Sequence, residues 1–232
     1  MNTDRHRVLA AWVRSFFDAF STGIIDNGKC PKAEKRQPKN VRKAMLTHYE
    51  QVAPAFLDTL FYPLAAMNFS YEETEKLTRD ALRDGGDMMS LVHKACGSER
   101  LYTLLVSEYK RNFTSLLEGA CPPVADHLAT LKQDMGDDGM DTDRAIELTV
   151  RVVMRGYAQG LRLSGEPTPN FRQASLFRLL LDAMNVLLLD GVADFSACGE
   201  NLTAMFLKVC GSEHHFNVMT AEMDRTHHEI MG

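Results

Sequence analysis

KACGSE at residues 94–99 returns almost unchanged as KVCGSE at residues 208–213. A glycine that follows a helical run suits the left-handed conformation that ends a helix, because it has no side chain to clash there. A serine directly after it suits the N-cap of a second helix, and a glutamate at the next position faces that helix's positive end. Gly97 and Gly211 are therefore expected to end one helix, and Ser98 and Ser212 to begin the next. Cys96 and Cys210 are expected as small buried residues where the two helices meet.

Reading outward from the two corners, further pairs follow in the same order. Leu9, Val13, Phe16, Phe17 and Phe20 superpose on Ile146, Val150, Val153, Met154 and Tyr157 at an offset of 137, and each set draws one helical stripe. Thr3 or Asp4 is expected to cap the first stripe, and the letters TDR stand before both helices, at 3–5 and 142–144. NVRKAML at 40–46 resembles NFRQASL at 170–176, with Asn40 and Asn170 as expected N-caps, and AMN recurs at 66–68 and 183–185. Gly85 and Gly199 stand in the same relation to the two corners.

This pattern predicts an all-α protein of two tandem, sequence-diverged helical-bundle halves of about four helices each, packed as one globular unit. The first half covers residues 1–121, a short helix with an acidic linker covers 122–141, and the second half covers 142–232. Helices are expected near 4–22, 40–68 with a break at Pro54 and Pro63, 71–95 with an interruption at Gly85 and Gly86, and 98–118. In the second half they are expected near 143–162, 170–190, 192–210 and 212–230. Ser70 and Glu73 form a capping box before the third helix. A further short helix is expected near 122–133. Period-two alternation bounded by turn residues is missing, so no sheet is expected.

Composition narrows the function classes. The 232 residues are 45% apolar and 25% charged, a mixture typical of folded domains rather than disordered chains. A net charge of -5 provides no overall attraction for nucleic acid or an anionic membrane. The apolar run at 176–195 carries Arg178, Asp182 and Asp190, which a bilayer core would penalise. The N-terminus reads as a helix rather than a secretory signal, and five cysteines without CxxC spacing fit reduced thiols, so a cytoplasmic location is expected. No phosphate-binding glycine loop, nucleophile elbow or HExxH pair is written in the chain.

Departures between the two halves mark the candidate sites. KCPKAEKRQPKNVRK at 29–43 holds seven basic residues against one Glu, whereas its counterpart is shorter and nearly neutral. Lys29, Lys32, Lys35, Arg36 and Lys39 are the candidate surface for an acidic partner, and Cys30 lies among them. Half of the eight histidines lie in the last nineteen residues, at 214, 215, 227 and 228. His215 stands where the first half has Leu101, and His227 where it has Phe113. His93, Cys96, His215 and His227 are the candidate ligand-binding residues, and HxxC at 93–96 places its imidazole and thiol one turn apart. Asp224, His227 and His228 have helical spacing suited to a metal ion. Methionines on the core stripes, Met88, Met154, Met205, Met219 and Met223, suggest an adaptable interior or an apolar pocket.

The expected function is therefore a cytoplasmic interaction or regulatory module that acts by binding a protein partner rather than by catalysis. The alternatives are a sensor holding a small apolar ligand or haem within the bundle, and a metal-dependent enzyme using the C-terminal His/Asp/Glu group. Nucleic acid and membrane are not expected partners, a homodimer is compatible with the helical surface, and the sequence specifies no cofactor.

Overall fold

A computed structural model describes residues 2–27, 38–84, 87–118, 139–163 and 169–232. It is all-α, with ten α-helices among the described residues. In the first part of the chain these are α1 (Arg5–Asn27), α2 (Pro38–Thr47), α3 (Tyr49–Asn68), α4 (Tyr71–Asp84), α5 (Met88–Ala95) and α6 (Glu99–Glu118). In the second they are α7 (Thr142–Arg162), α8 (Gln173–Leu189), α9 (Leu202–Cys210) and α10 (Glu213–Met231). Two three-residue strands, β1 (Asn2–Asp4) and β2 (Gly139–Asp141), pair antiparallel ahead of α1 and α7. This ribbon corrects the expectation of no sheet: strands this short are set by a long-range pairing and leave no alternation to read.

α1 and α7 form the centre. Leu9, Trp12, Phe16, Ala19 and Gly23 succeed one another at steps of four and three, as do Ile146, Thr149, Val153, Gly156 and Gly160. This is the seam spacing of helices packed side by side. The residues that meet are those that the offset of 137 superposes. Thr3 pairs with Met140 across the ribbon, and the Trp12 indole N–H donates to Thr149 Oγ1 at 2.8 Å. Further along, Gly23 lies against Gly160. Contacts in this order mean that the two helices run in the same direction. Their closest approach needs glycine: a Cβ on Gly23 would lie 2.4 Å from the Tyr157 carbonyl oxygen, and one on Gly160 would lie 2.2 Å from that of Phe20.

The outer helices repeat one set of neighbours. α6 packs on α1 as α10 packs on α7, α5 on α3 as α9 on α8, and α8 crosses to α1 as α3 crosses to α7. A single hydrophobic core runs through all of them, with Trp12, Phe16, Leu60, Leu64, Ile146 and Leu180 fully buried. α1 is long and apolar enough to cross a membrane by composition alone. Here it is enclosed by α7, α6, α8 and α2, which accounts for its being apolar nearly all round.

The two corners form as expected. Gly97 and Gly211 have φ of 66° and 70°, Ser98 Oγ accepts from the Leu101 amide, and Ser212 Oγ accepts from the His215 amide. The Ser70–Glu73 capping box is present, and its hydrogen bonds to Ser70 hold the Glu73 carboxyl below the usual carboxylate range. Asp4 caps α1 through the His6 amide, and Asp141 caps α7 through that of Arg144. These aspartates are 137 apart, whereas the TDR letters are 139 apart; the structure follows the hydrophobic stripe, and Thr142 opens α7 instead of preceding it.

Other boundaries differ from the expectation. α3 runs unbroken through Pro54 and Pro63, and the break falls at His48. A proline inside a helix removes one backbone hydrogen bond, and here the buried face of Val52, Phe56, Leu60 and Leu64 outweighs that loss. Asn40 lies within the first turn of α2, and Asn170 lies three residues before α8, so neither is an N-cap. The expected helix at 192–210 divides into a 3-10 turn (Ser196–Cys198) and α9, which Asn201 caps through the Ala204 amide. Gly85, Gly86 and the expected helix at 122–133 lie outside the described residues.

Gly23→Ala and Gly160→Ala should each lower the unfolding free energy by about 1–3 kcal/mol, although alanine is the better helix former. Gly156→Ala, whose Cβ would meet only the Phe16 ring at 3.3 Å and the Ala19 methyl at 3.5 Å among side chains, should cost less. Urea denaturation of the three variants checks the order.

Candidate functional site

The candidate residues of the sequence fall in different places. Lys29, Cys30, Lys32, Lys35 and Arg36 lie outside the described residues; Lys39 is in the first turn of α2, its side chain outside them. His93 is exposed on α5, where its Nε2 meets Glu99 Oε2 at 2.7 Å and its ring packs edge-on against Tyr102. Cys96 is buried one turn further on, and burial pushes its thiol up to about 12. Cys210, its counterpart, is pushed up to about 11 for the same reason. Neither is a ready thiolate at neutral pH.

The C-terminal histidines turn to different partners. His215 Nδ1 lies 2.9 Å from the Cys210 carbonyl oxygen, and His214 Nε2 lies 2.6 Å from Asp143 Oδ2 at the start of α7. His227 packs on Phe171 and on His228. Among the described residues no group of three or more His, Cys, Asp or Glu side chains is placed to hold a metal ion.

Two buried glutamates lie outside the candidate residues of the sequence. Glu108 on α6 is wholly buried, and the Arg111 guanidinium donates to its Oε2 at 2.6 Å. Glu222 on α10 is 1% exposed and accepts from Arg225 at 2.6 Å and from Thr226 Oγ1 at 2.9 Å. Arg151 of α7 completes the second group, with Nε 2.5 Å from Glu222 Oε1 and its fork on Glu229. The offset of 114 superposes Glu108 on Glu222 and Arg111 on Arg225. The signal for both in the sequence is the recurrent ExxR spacing, at 108–111 and 222–225.

A cavity of about 240 Å³ opens between α3, α5 and α6. Phe56 and Leu57 of α3, Met89 and Val92 of α5, and Leu105 and Val106 of α6 give it a wholly apolar lining. Tyr102, Tyr109 and Lys110 complete the α6 wall. Tyr109 belongs to an aromatic cluster that reaches the central helix, with ring centroids 4.8 Å from Phe56 and 5.4 Å from Phe17. Burial, with the nearby Tyr49, pushes its hydroxyl up, so it keeps its proton.

A second cavity of about 370 Å³ lies between α8, α9 and α10. Its α10 wall is Phe216, Met219, Thr220, Met223 and Asp224, the residues that the offset of 114 superposes on Tyr102, Leu105, Val106, Tyr109 and Lys110. The second lining is more polar, and it carries an acid where the first carries a base. Among the described residues neither lining includes an imidazole or a thiol; Met89 in the first and Met219 and Met223 in the second bring thioethers, and Tyr102 and Tyr109 line the first as well.

The chain matches no protein-family model, no curated protein and no solved structure.

Glu222→Ala, which removes the buried acceptor of Arg151, Arg225 and Thr226 but leaves Arg151 on Glu229, should cost about 1.5–3 kcal/mol in urea denaturation. The raised thiols add a pH dependence. Unfolded cysteine ionises near pH ~8.5 while Cys96 and Cys210 stay protonated in the fold, so stability is retained below that pH and lost as pH rises towards 11–12. Each thiol should add up to about 1.4 kcal/mol per pH unit to the decline, and Cys96→Ala with Cys210→Ala should flatten the alkaline limb of the stability curve.

Proposed function

We propose that this protein is a cytoplasmic regulatory module that holds a small apolar molecule in the cavity between α3, α5 and α6. The observation that carries the reading is a wholly apolar, partly enclosed lining. A volume of about 240 Å³ has room for roughly eight water-sized groups, at about 30 Å³ each. An occupant would touch Phe56 and Tyr109, and through them Phe17 of the central helix. Filling the cavity would stabilise the arrangement of α1 against α6 in proportion to ligand saturation.

The organisation that accompanies this reading is two fused helical halves, residues 1–121 and 142–232, joined through 122–141. What supports it is the meeting of offset-137 pairs along α1 and α7 and the recurrence of one cavity in each set of outer helices. Binding of a protein partner is the second reading. Met88 and Met89, exposed by 39% and 42% on α5 with Met89 in the cavity wall, favour it by giving a partner side chain an apolar landing beside the opening.

1-Octanol titrated into protein labelled at methionine methyls should shift the Met89 resonance saturably. Val106→Phe, which fills the cavity from its own wall, should abolish that shift while keeping the wild-type circular dichroism. A Met89 signal that does not move, or that moves equally in the filled variant, overturns the reading.

A further inference from the structure

The two cavities have the same position in their helix sets and differ in charge at one matched residue, Lys110 in the first and Asp224 in the second. The fold therefore does not require a cation there. Among the described residues Lys110 is the only charged one in the wall of the first cavity, and since it is exposed while the lining carries no polar surface, its apolar stem forms the wall and its ammonium lies outside it. The ammonium has no ion pair among the described residues. Its neighbours one turn away on α6 are Val106, Ser107, Phe113 and Thr114, none of them acidic, and Glu108 is turned inward to Arg111.

From this asymmetry we infer that the ligand of the first cavity is a monoanionic amphiphile, a medium-chain carboxylate whose tail fills the apolar lining and whose head meets the Lys110 ammonium. The inference rests on the cavity being a ligand site and adds the charge of what it selects. Tail length follows from the volume, which suits a chain of about eight carbons at roughly 30 Å³ for each water-sized group. The head stays at the rim because a carboxylate driven into a lining without polar surface would lose its hydration with nothing in return.

The test compares octanoate, 1-octanol and octylamine by isothermal titration on the full chain. Octanoate should bind wild type most tightly and octylamine most weakly. Lys110→Met should weaken octanoate about two- to fivefold, the range of one exposed ion pair, and leave octanol unchanged. Lys110→Arg should keep the preference for octanoate, and Lys110→Glu should reverse the order of octanoate and octylamine. Val106→Phe should remove octanoate binding, which assigns it to this cavity rather than to the one beside Asp224. Equal binding of octanol and octanoate, with no effect of Lys110→Met, overturns the charge inference and leaves the cavity a ligand site. Failure of all three probes to bind overturns both.

Discussion

The contact of Gly23 with Gly160 constrains the rest of the molecule. Without side chains at these two positions, the backbones of α1 and α7 approach until each glycine lies against the other helix's carbonyl and amide groups. At the other end of the seam the Trp12 indole spans the gap and donates to the Thr149 hydroxyl, which itself donates to the Ala145 carbonyl oxygen at 2.7 Å. The two helices are thus bridged by a side chain towards their N-terminal ends and brought into backbone contact, at the narrow end, towards their C-terminal ends. At the narrow end the polar closure is a buried hydrogen bond from the Tyr157 hydroxyl to Asp26, 2.7 Å long, which also raises the Tyr157 hydroxyl beyond what burial alone does.

Around this axis the outer helices are pinned by charge as well as by packing. Arg151 lies over the Tyr62 ring of α3 at 5.3 Å while its guanidinium serves Glu222 and Glu229 of α10, so a single side chain ties α7 to two neighbours. Burial alone would raise the Glu229 carboxyl, but Arg151 and Arg155 hold it below its ordinary value. The first cavity then lies where α5, only eight residues long, covers part of α3 and α6. Its wall shares Phe56 and Tyr109 with the aromatic cluster against α1, so the cavity is continuous with the core.

Much of the helical outline was legible because its signals are local. The corners needed only a glycine, a serine and their spacing, and the capping box needed only Ser70 and Glu73. α3 was misread at Pro54 and Pro63 because proline's local cost was weighed without the burial that offsets it. The ribbon of β1 and β2 was invisible since three residues have no period, and its partner lies far along the chain. The candidate histidines stand out in the sequence by differing from the residues 114 positions away, and such differences reveal composition but not direction. His93 turns to Glu99, His214 and His215 turn to Asp143 or the corner carbonyl, and His227 turns to Phe171.

By itself the sequence determined the all-helical class, the corners, and the matched stripes of α1 and α7, because capping, chain reversal and amphipathic period depend on residues within a few positions of one another. It also contained the matched walls, Tyr102 to Lys110 and Phe216 to Asp224, without indicating that they enclose space. Tertiary structure decided that Gly23 meets Gly160, that Glu108 and Glu222 are buried, and that a cavity is left between α3, α5 and α6. Each of these depends on where surfaces distant in the chain come to rest, and a void belongs to the space between helices rather than to any residue.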